Sequence, residues 1–171
     1  VSPAIQNRCN GIAITTINFS NPNAMPGTTY SWTRDNTTNL TGIAASGTGS
    51  SIAGTLTNTT STTQTTVFTV TASSPNGCFS TTTVSVNVYA TLTAPVISTP
   101  QDVCNFQTAA AFFMSTPVSG GSGSYSYQWQ RSARGSGGPW TNVGTNSPTY
   151  LPPTNEFDYR LIVRDTACTS Q

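Results

Sequence analysis

One pattern occurs twice in this chain and constrains its fold more than any other feature: a cysteine, an aromatic strand carrying Trp, and a second cysteine. Cys9 is followed 23 positions on by Trp32, inside TTYSWT (28–33), and 69 positions on by Cys78. Cys104 is followed 25 positions on by Trp129, inside YSYQWQ (125–130), and 64 positions on by Cys168. The starts agree as well, because SPAI (2–5) returns as APVI (94–97), with Pro3 and Pro95 lying 92 residues apart. That pitch is the length of one small β-sandwich, and such self-similarity takes precedence over local readings. The 171 residues therefore divide into a first domain at 1–90, a linker at 91–95 and a second domain at 96–171.

Composition supports strands. The chain has 33 Thr and 21 Ser, and only 6% of its residues are charged. Thr is β-branched and suits a pleated surface, while its hydroxyl keeps a face wet without charge. In the first copy, 12–19, 29–34 and 50–59 read as strands. TTVFTVTA (65–72) places Phe68, Val70 and Ala72 on one face, and VSVNVY (84–89) does the same with Val84, Val86 and Val88. The Asn-Gly of SSPNGC (73–78) marks a hairpin between them. In the second copy the strands are 109–115, 124–132, 140–144, 147–151 and 158–165, the last with Tyr159, Leu161 and Val163 inward. No segment shows sustained helical periodicity.

Four cysteines without a CxxC pair, in a chain with no His, exclude an ordinary zinc site. Their even number and wide spacing predict two structural disulfides and an oxidising, extracellular location. Each pair that brackets one copy is expected to close, giving Cys9–Cys78 and Cys104–Cys168. By the chain-entropy estimate, each closure contributes about 4 kcal/mol. The net charge of +1 comes from six Arg and five carboxylates, with no basic stripe for nucleic acid. No apolar run reaches the length of a membrane span. The start, VSPAIQNRC, lacks the features of a signal peptide and reads as the middle of something longer.

The first copy, from CNGIAITTINFSNPNAMPGTTYSWT through GTGSSIAGTLTNTT (47–60) to TTVFTVTASSPNGC, resembles the PKD-like repeats of secreted Bacteroidota surface proteins. The WDFGDG phrase of standard PKD domains is absent. The second copy, with YQWQ, a glycine turn, WTNV, SPTY and YRLIV, resembles the Ig-like repeats of the same proteins. Trp129 corresponds to the core Trp of immunoglobulin domains and Tyr159 to the tyrosine-corner residue, while Leu161 stands where a Cys is usual. The resemblance implies an all-β chain of two tandem Ig-like/PKD-like β-sandwiches. It further implies a repeat segment of a long bacterial cell-surface adhesin or filament, of the gliding-motility type and exported by type IX secretion. The expected partners are neighbouring repeats of the same chain, surface glycans or other cell-surface proteins.

Few residues invite chemistry. Without His or Lys, the usual nucleophile–base arrangements cannot be assembled, so no catalysis and no cofactor are expected. Glu156 and Asp158 are close carboxylates, read as turn caps pairing with Arg160 or Arg164 rather than as glycosidase acids. Asp102 and Asp165 each lie near a cysteine, and form a weak calcium candidate against a reading as solvated loop acids. Asp165-Thr166-Ala167 fits a short bacterial O-glycosylation sequon, with Thr166 as the acceptor. Trp140, Tyr125 and Tyr127 are read as core packing, with a glycan-stacking platform as the competing reading. The rival function is therefore a carbohydrate-binding accessory module of a secreted polysaccharide-degrading enzyme. Cys78 is followed by FSTTTVSVNVYA but Cys168 only by Thr169, Ser170 and Gln171. The second sandwich is thus expected to lack its last strand within this sequence, the continuation of the chain supplying it in preference to a neighbouring molecule.

Overall fold

The computed structural model describes residues 3–21, 25–98, 109–153 and 156–168. Among the described residues every regular element is a strand, so the chain is all-β. It divides into two compact units, Val1–Thr91 and Leu92–Gln171.

The first unit contains β1 (Ile5–Arg8), β2 (Ile17–Asn18), β3 (Thr29–Arg34), β4 (Leu40–Thr41), β5 (Ser46–Thr48), β6 (Ser51–Ile52), β7 (Thr57–Asn58), β8 (Gln64–Ser73) and β9 (Phe79–Val88). Its main sheet has the order β1-β9-β8-β3-β5, with small pairs β2-β6 and β4-β7 beside it. The long hairpin β8–β9 is the expected one, turning at Pro75-Asn76-Gly77, with Gly77 at φ 84° where an L side chain is disfavoured. Alternation points Trp32, Phe68, Val70, Val84, Val86 and Val88 to one side. There they meet Ile17, Leu40 and Ile52 from the small pairs, and Leu56 just before β7, in one buried cluster. This is a sandwich with its core between the five-stranded sheet and the short strands. Trp32 meets Phe68 edge-on at 5.8 Å and lies over Gly47, where a Cβ would collide with the indole.

The expected strand at 12–19 shrinks to Ile17–Asn18 plus an isolated bridge from Ala13 to Thr55. Gln6 accounts for part of this. Its side chain, buried on β1, donates to Thr15 O at 2.8 Å and accepts from Thr15 N at 2.7 Å. An amide side chain thereby takes the place of a neighbouring strand's backbone.

Cys9 does not pair with Cys78. Cys78 is an exposed free thiol, whereas Cys9 and Cys168 are each disulfide-bonded. The reason lies in the sheet: β1 runs parallel to β9, with Arg8 opposite Val88, while Cys78 precedes Phe79 at the other end of β9. The 10 residues of β9 hold those ends about 30 Å apart, far beyond the Cα separation of about 4.4–6.8 Å that a disulfide tolerates. Cys104 lies outside the described residues, and with it the expected Cys104–Cys168 bridge.

β10 (Ala90–Thr93) runs across the division, so the segment read as a linker is strand over most of its length. Beyond it come β11 (Val96–Ile97), β12 (Met114–Thr116), β13 (Ser119–Gly121), β14 (Tyr125–Ala133), β15 (Thr141–Val143) and β16 (Phe157–Asp165). The main sheet of the second unit is β15-β14-β16, with β11 paired to β12 and β13 to β10. Although SPAI and APVI are alike, β1 pairs in parallel and β11 antiparallel. Among the described residues β16 has one strand neighbour, β14, whereas β8 lies between β3 and β9. Trp129, at the centre of β14, is fully buried between Phe112 and Tyr150, with both ring centroids at 5.8 Å.

Alternation also carries Arg34 inward, two positions after Trp32. The buried guanidinium donates through Nε to Ile43 O at 3.0 Å and Ala44 O at 3.1 Å. Nη2 reaches Leu40 O at 2.9 Å and Ile43 O at 2.6 Å, and Nη1 the carbonyls of Asp35 and Asn36. Burial lowers its pKa, and the charge of Asp35 opposes that shift. The segment from 35 to 44, with the two-residue β4 inside it, is thus folded around a cation that satisfies its carbonyls. Arg34→Met should destabilise the first unit by about 2–3 kcal/mol, because charge-assisted bonds are lost and buried carbonyls are orphaned. Thermal unfolding should show a fall of about 10 °C or more. An unchanged transition would contradict this role.

Candidate functional site

The second unit carries the densest polar arrangement near the expected site residues, and Asp165 is its centre. Tyr159, Leu161, Val163 and Asp165 share one face of β16, so alternation delivers this carboxylate inward, where it is 1% exposed. The turn after β13 wraps over it. Ser122 N donates to Oδ2, and Ser122 Oγ donates to Oδ1 at 2.9 Å. Ala167 N and Cys168 N each donate to Oδ1 at 2.8 Å. A Cβ at Gly121, whose φ is 60°, would collide with the carboxylate, so the turn requires glycine there. Tyr125 closes the other side, its hydroxyl donating to Gly120 O at 2.6 Å. Burial raises the pKa of Tyr125, and the negative charge of Asp165 adds to it.

Burial alone would raise the pKa of Asp165, yet the four hydrogen bonds from Ser122, Cys168 and Ala167 lower it below the ordinary value. The arrangement is a clip between two loops. It uses the lone pairs that a calcium ion would need, and Asp102 lies outside the described residues. Among the described residues, no group of three or more His, Cys, Asp or Glu side chains comes together.

The other expected residues fall as follows. Thr166 is exposed, with its amide donating to Ser124 O at 2.9 Å and its hydroxyl to the same carbonyl at 3.2 Å. Its sequon partner Asp165 is the buried clip. Tyr159 packs against Phe112 at 5.3 Å, Tyr150 at 5.6 Å and Phe157 at 6.5 Å, extending the aromatic cluster around Trp129. The indole of Trp129 donates to Ser147 O at 3.0 Å. Asp158 accepts from Gly135 N at 2.8 Å, the turn-capping role expected, while Glu156 is exposed. Arg160 does not cap a carboxylate. It donates to Gln130 Oε1 at 2.8 Å and lies over Trp140 at 4.3 Å. Trp140 is therefore on the outer face, not in the core. In the first unit an open cleft is lined by residues 28–31 and 48–50, hydroxyl-bearing except for Gly49.

Sequence reasoning passed over Arg34, Gln6, Asn58 and the Ser122 clip. Asn58, buried, donates to Thr62 O at 2.8 Å and Val88 O at 2.9 Å and accepts from Thr60 N. The signals were present, since Arg34 and Asp165 continue the inward parity of Trp32 and Val163.

The pKa of Asp165 is depressed on folding, so its contribution is fully present above the unfolded value of about 3.9 and disappears as pH falls through the lower folded value. Denaturant midpoints of the second unit should therefore drop below about pH 4 in the natural chain and be flatter there in Asp165→Asn. At neutral pH the substitution should cost about 2 kcal/mol. Equal acid sensitivity in both proteins would contradict the clip. With thiol reagents, native protein should label at Cys78, and at Cys9 and Cys168 only after reduction. A Cys78 that resists alkylation until reduced would contradict the assignment.

A PKD-like domain matches residues 6–91, and a domain of unknown function matches residues 93–171. No curated protein matches the chain. Among solved structures, the crystal structure of the YadV chaperone matches at 11% identity with a TM-score of 0.36, covering 94% of this chain and 81% of that one. A score that low bears on neither fold nor function. The first unit rests on firmer ground: with residues 6–91 of 171 matched, the chain belongs to the PKD-like domain family.

Proposed function

We propose that this chain is a non-catalytic segment of a bacterial cell-surface protein, a stalk or adhesive filament assembled from tandem sandwiches. A PKD-like domain suggests an extracellular structural or binding module, and disulfide-bonded cysteines are compatible with that location. The observation that carries the reading is the use made of polar side chains. Gln6, Arg34, Asn58 and Asp165 are all buried, and each is hydrogen-bonded to backbone groups of its own unit. Groups engaged in this way hold loops in place, and the two ionisable ones, Arg34 and Asp165, are poorly available as an acid or a base. Export by type IX secretion, a part in gliding motility and contact with neighbouring repeats belong to this proposal through the Bacteroidota resemblance.

A second reading, a carbohydrate-binding accessory module, is favoured by the half-exposed Trp140 and its stacked Arg160. The full-length parent sequence separates the two. Further sandwiches favour the stalk, and a linked hydrolase domain favours the module.

Antibodies against this segment should label intact cells of the source organism, and external protease should remove the signal. Labelling that appears only after lysis would overturn the surface assignment. Purified protein should hydrolyse neither peptides, esters nor glycosides, and turnover abolished by Glu156→Gln would overturn the non-catalytic one.

A further inference from the structure

The outer face of β15-β14-β16 carries a set of side chains that neither the fold nor the core requires. Residues directly opposite each other in an antiparallel pair share a face. Asn142, Gln130 and Arg160 therefore form one rung on the side away from Trp129, with Gln128 beside Ile162 and Ser126 beside Arg164 on neighbouring rungs. The rung is locked. Gln130 Nε2 donates to Asn142 Oδ1 at 2.7 Å, and Arg160 Nε donates to Gln130 Oε1 at 2.8 Å. The guanidinium lies 4.3 Å from the centre of the Trp140 ring, and the indole is itself fixed by its bond to Gly137 O at 3.1 Å.

Because Nε makes the bond to Gln130, the two terminal nitrogens of Arg160 remain available as a fork. Arg164 stands four residues along the same strand, roughly 13 Å away, and is exposed. The carboxylate on this face, Asp158, is engaged by Gly135 N.

We infer that this face binds an acidic polysaccharide, a chain of uronate sugars. The inference rests on the extracellular reading for its occupant. Charge complementarity selects an anion: two guanidiniums offer planar forks that match carboxylates bidentately. The indole edge and Ile162 supply apolar surface for the C–H face of a sugar ring, and the fixed amides offer hydrogen bonds to hydroxyls. Two cations about 13 Å apart are too sparse for nucleic acid, whose phosphates recur far more densely.

The test is affinity electrophoresis of the full 171-residue chain in gels containing polygalacturonate, dextran or single-stranded DNA. Polygalacturonate should retard the protein, dextran should not, and DNA should do so at least tenfold more weakly. Arg164→Gln and Trp140→Ala should each weaken retention at least fivefold. Arg8→Gln, equal in charge change but on the first unit, should leave it unchanged. Arg164 carries the test if Trp140→Ala lowers the melting temperature, because its guanidinium has no hydrogen-bond partner among the described residues. No retardation, equal retardation by dextran or DNA, or an equal loss in Arg8→Gln would overturn the inference. Each of these results is independent of where the protein resides, which surface labelling decides separately.

Discussion

Burial of one indole on an interior strand of each main sheet sets the rest of the structure. Trp129 on β14 is fully enclosed, and Trp32 on β3 is 8% exposed. A side chain of that size fixes the depth of its sandwich, and what faces it must be either small or flat. Gly47 is the small solution in the first unit, and the stacked Phe112 and Tyr150 are the flat one in the second. Fully burying one large aromatic contributes up to about 3 kcal/mol, so the loops that carry these partners are tied to the core by packing.

Fixing the indole inward fixes the parity of its strand, and parity brings polar residues inside. Arg34 follows Trp32 by two positions on β3. Asp165 follows the Trp129-facing residues of β16. Both are ions in places where a bare charge would cost several kcal/mol. Each is satisfied by backbone groups of a loop wrapped around it, carbonyls around Arg34 and amides around Asp165. With only 6% charged residues the chain has few ions to place. Two of them are used as the organising centres of segments with little or no ladder of their own.

The long strands were legible because alternation over eight or more residues carries its own evidence. Phe68, Val70, Val84, Val86 and Val88 are buried as their spacing requires. The cysteine pairing was not legible, because similar spacing from a Trp says nothing about which end of a strand a cysteine meets. Parallel pairing of β1 with β9 placed Cys9 and Cys78 at opposite ends, and that pairing depends on long-range order. The strand-like phrase WTNV, taken alone, places Trp140 in the core. It lies just before β15, and parity with Asn142 turns it outward toward Arg160. The clip at Asp165 had a visible trace in SGGSGS (119–124), since glycines at that density mark a backbone that must approach something closely. What it approaches could be named only from the fold.

The account rests on rigid units organised around buried indoles, and exchange of indole N–H protons measured by NMR tests it most directly. Trp129 Nε1–H, buried and bonded to Ser147 O, should exchange only when the second unit opens globally, with the same free energy as the slowest amides of β14 and β16. Trp140 Nε1–H, on the outer face, should exchange orders of magnitude faster. Exchange of Trp129 at the rate of Trp140 would show a core that opens locally, and would contradict the claim that the indole holds the unit together.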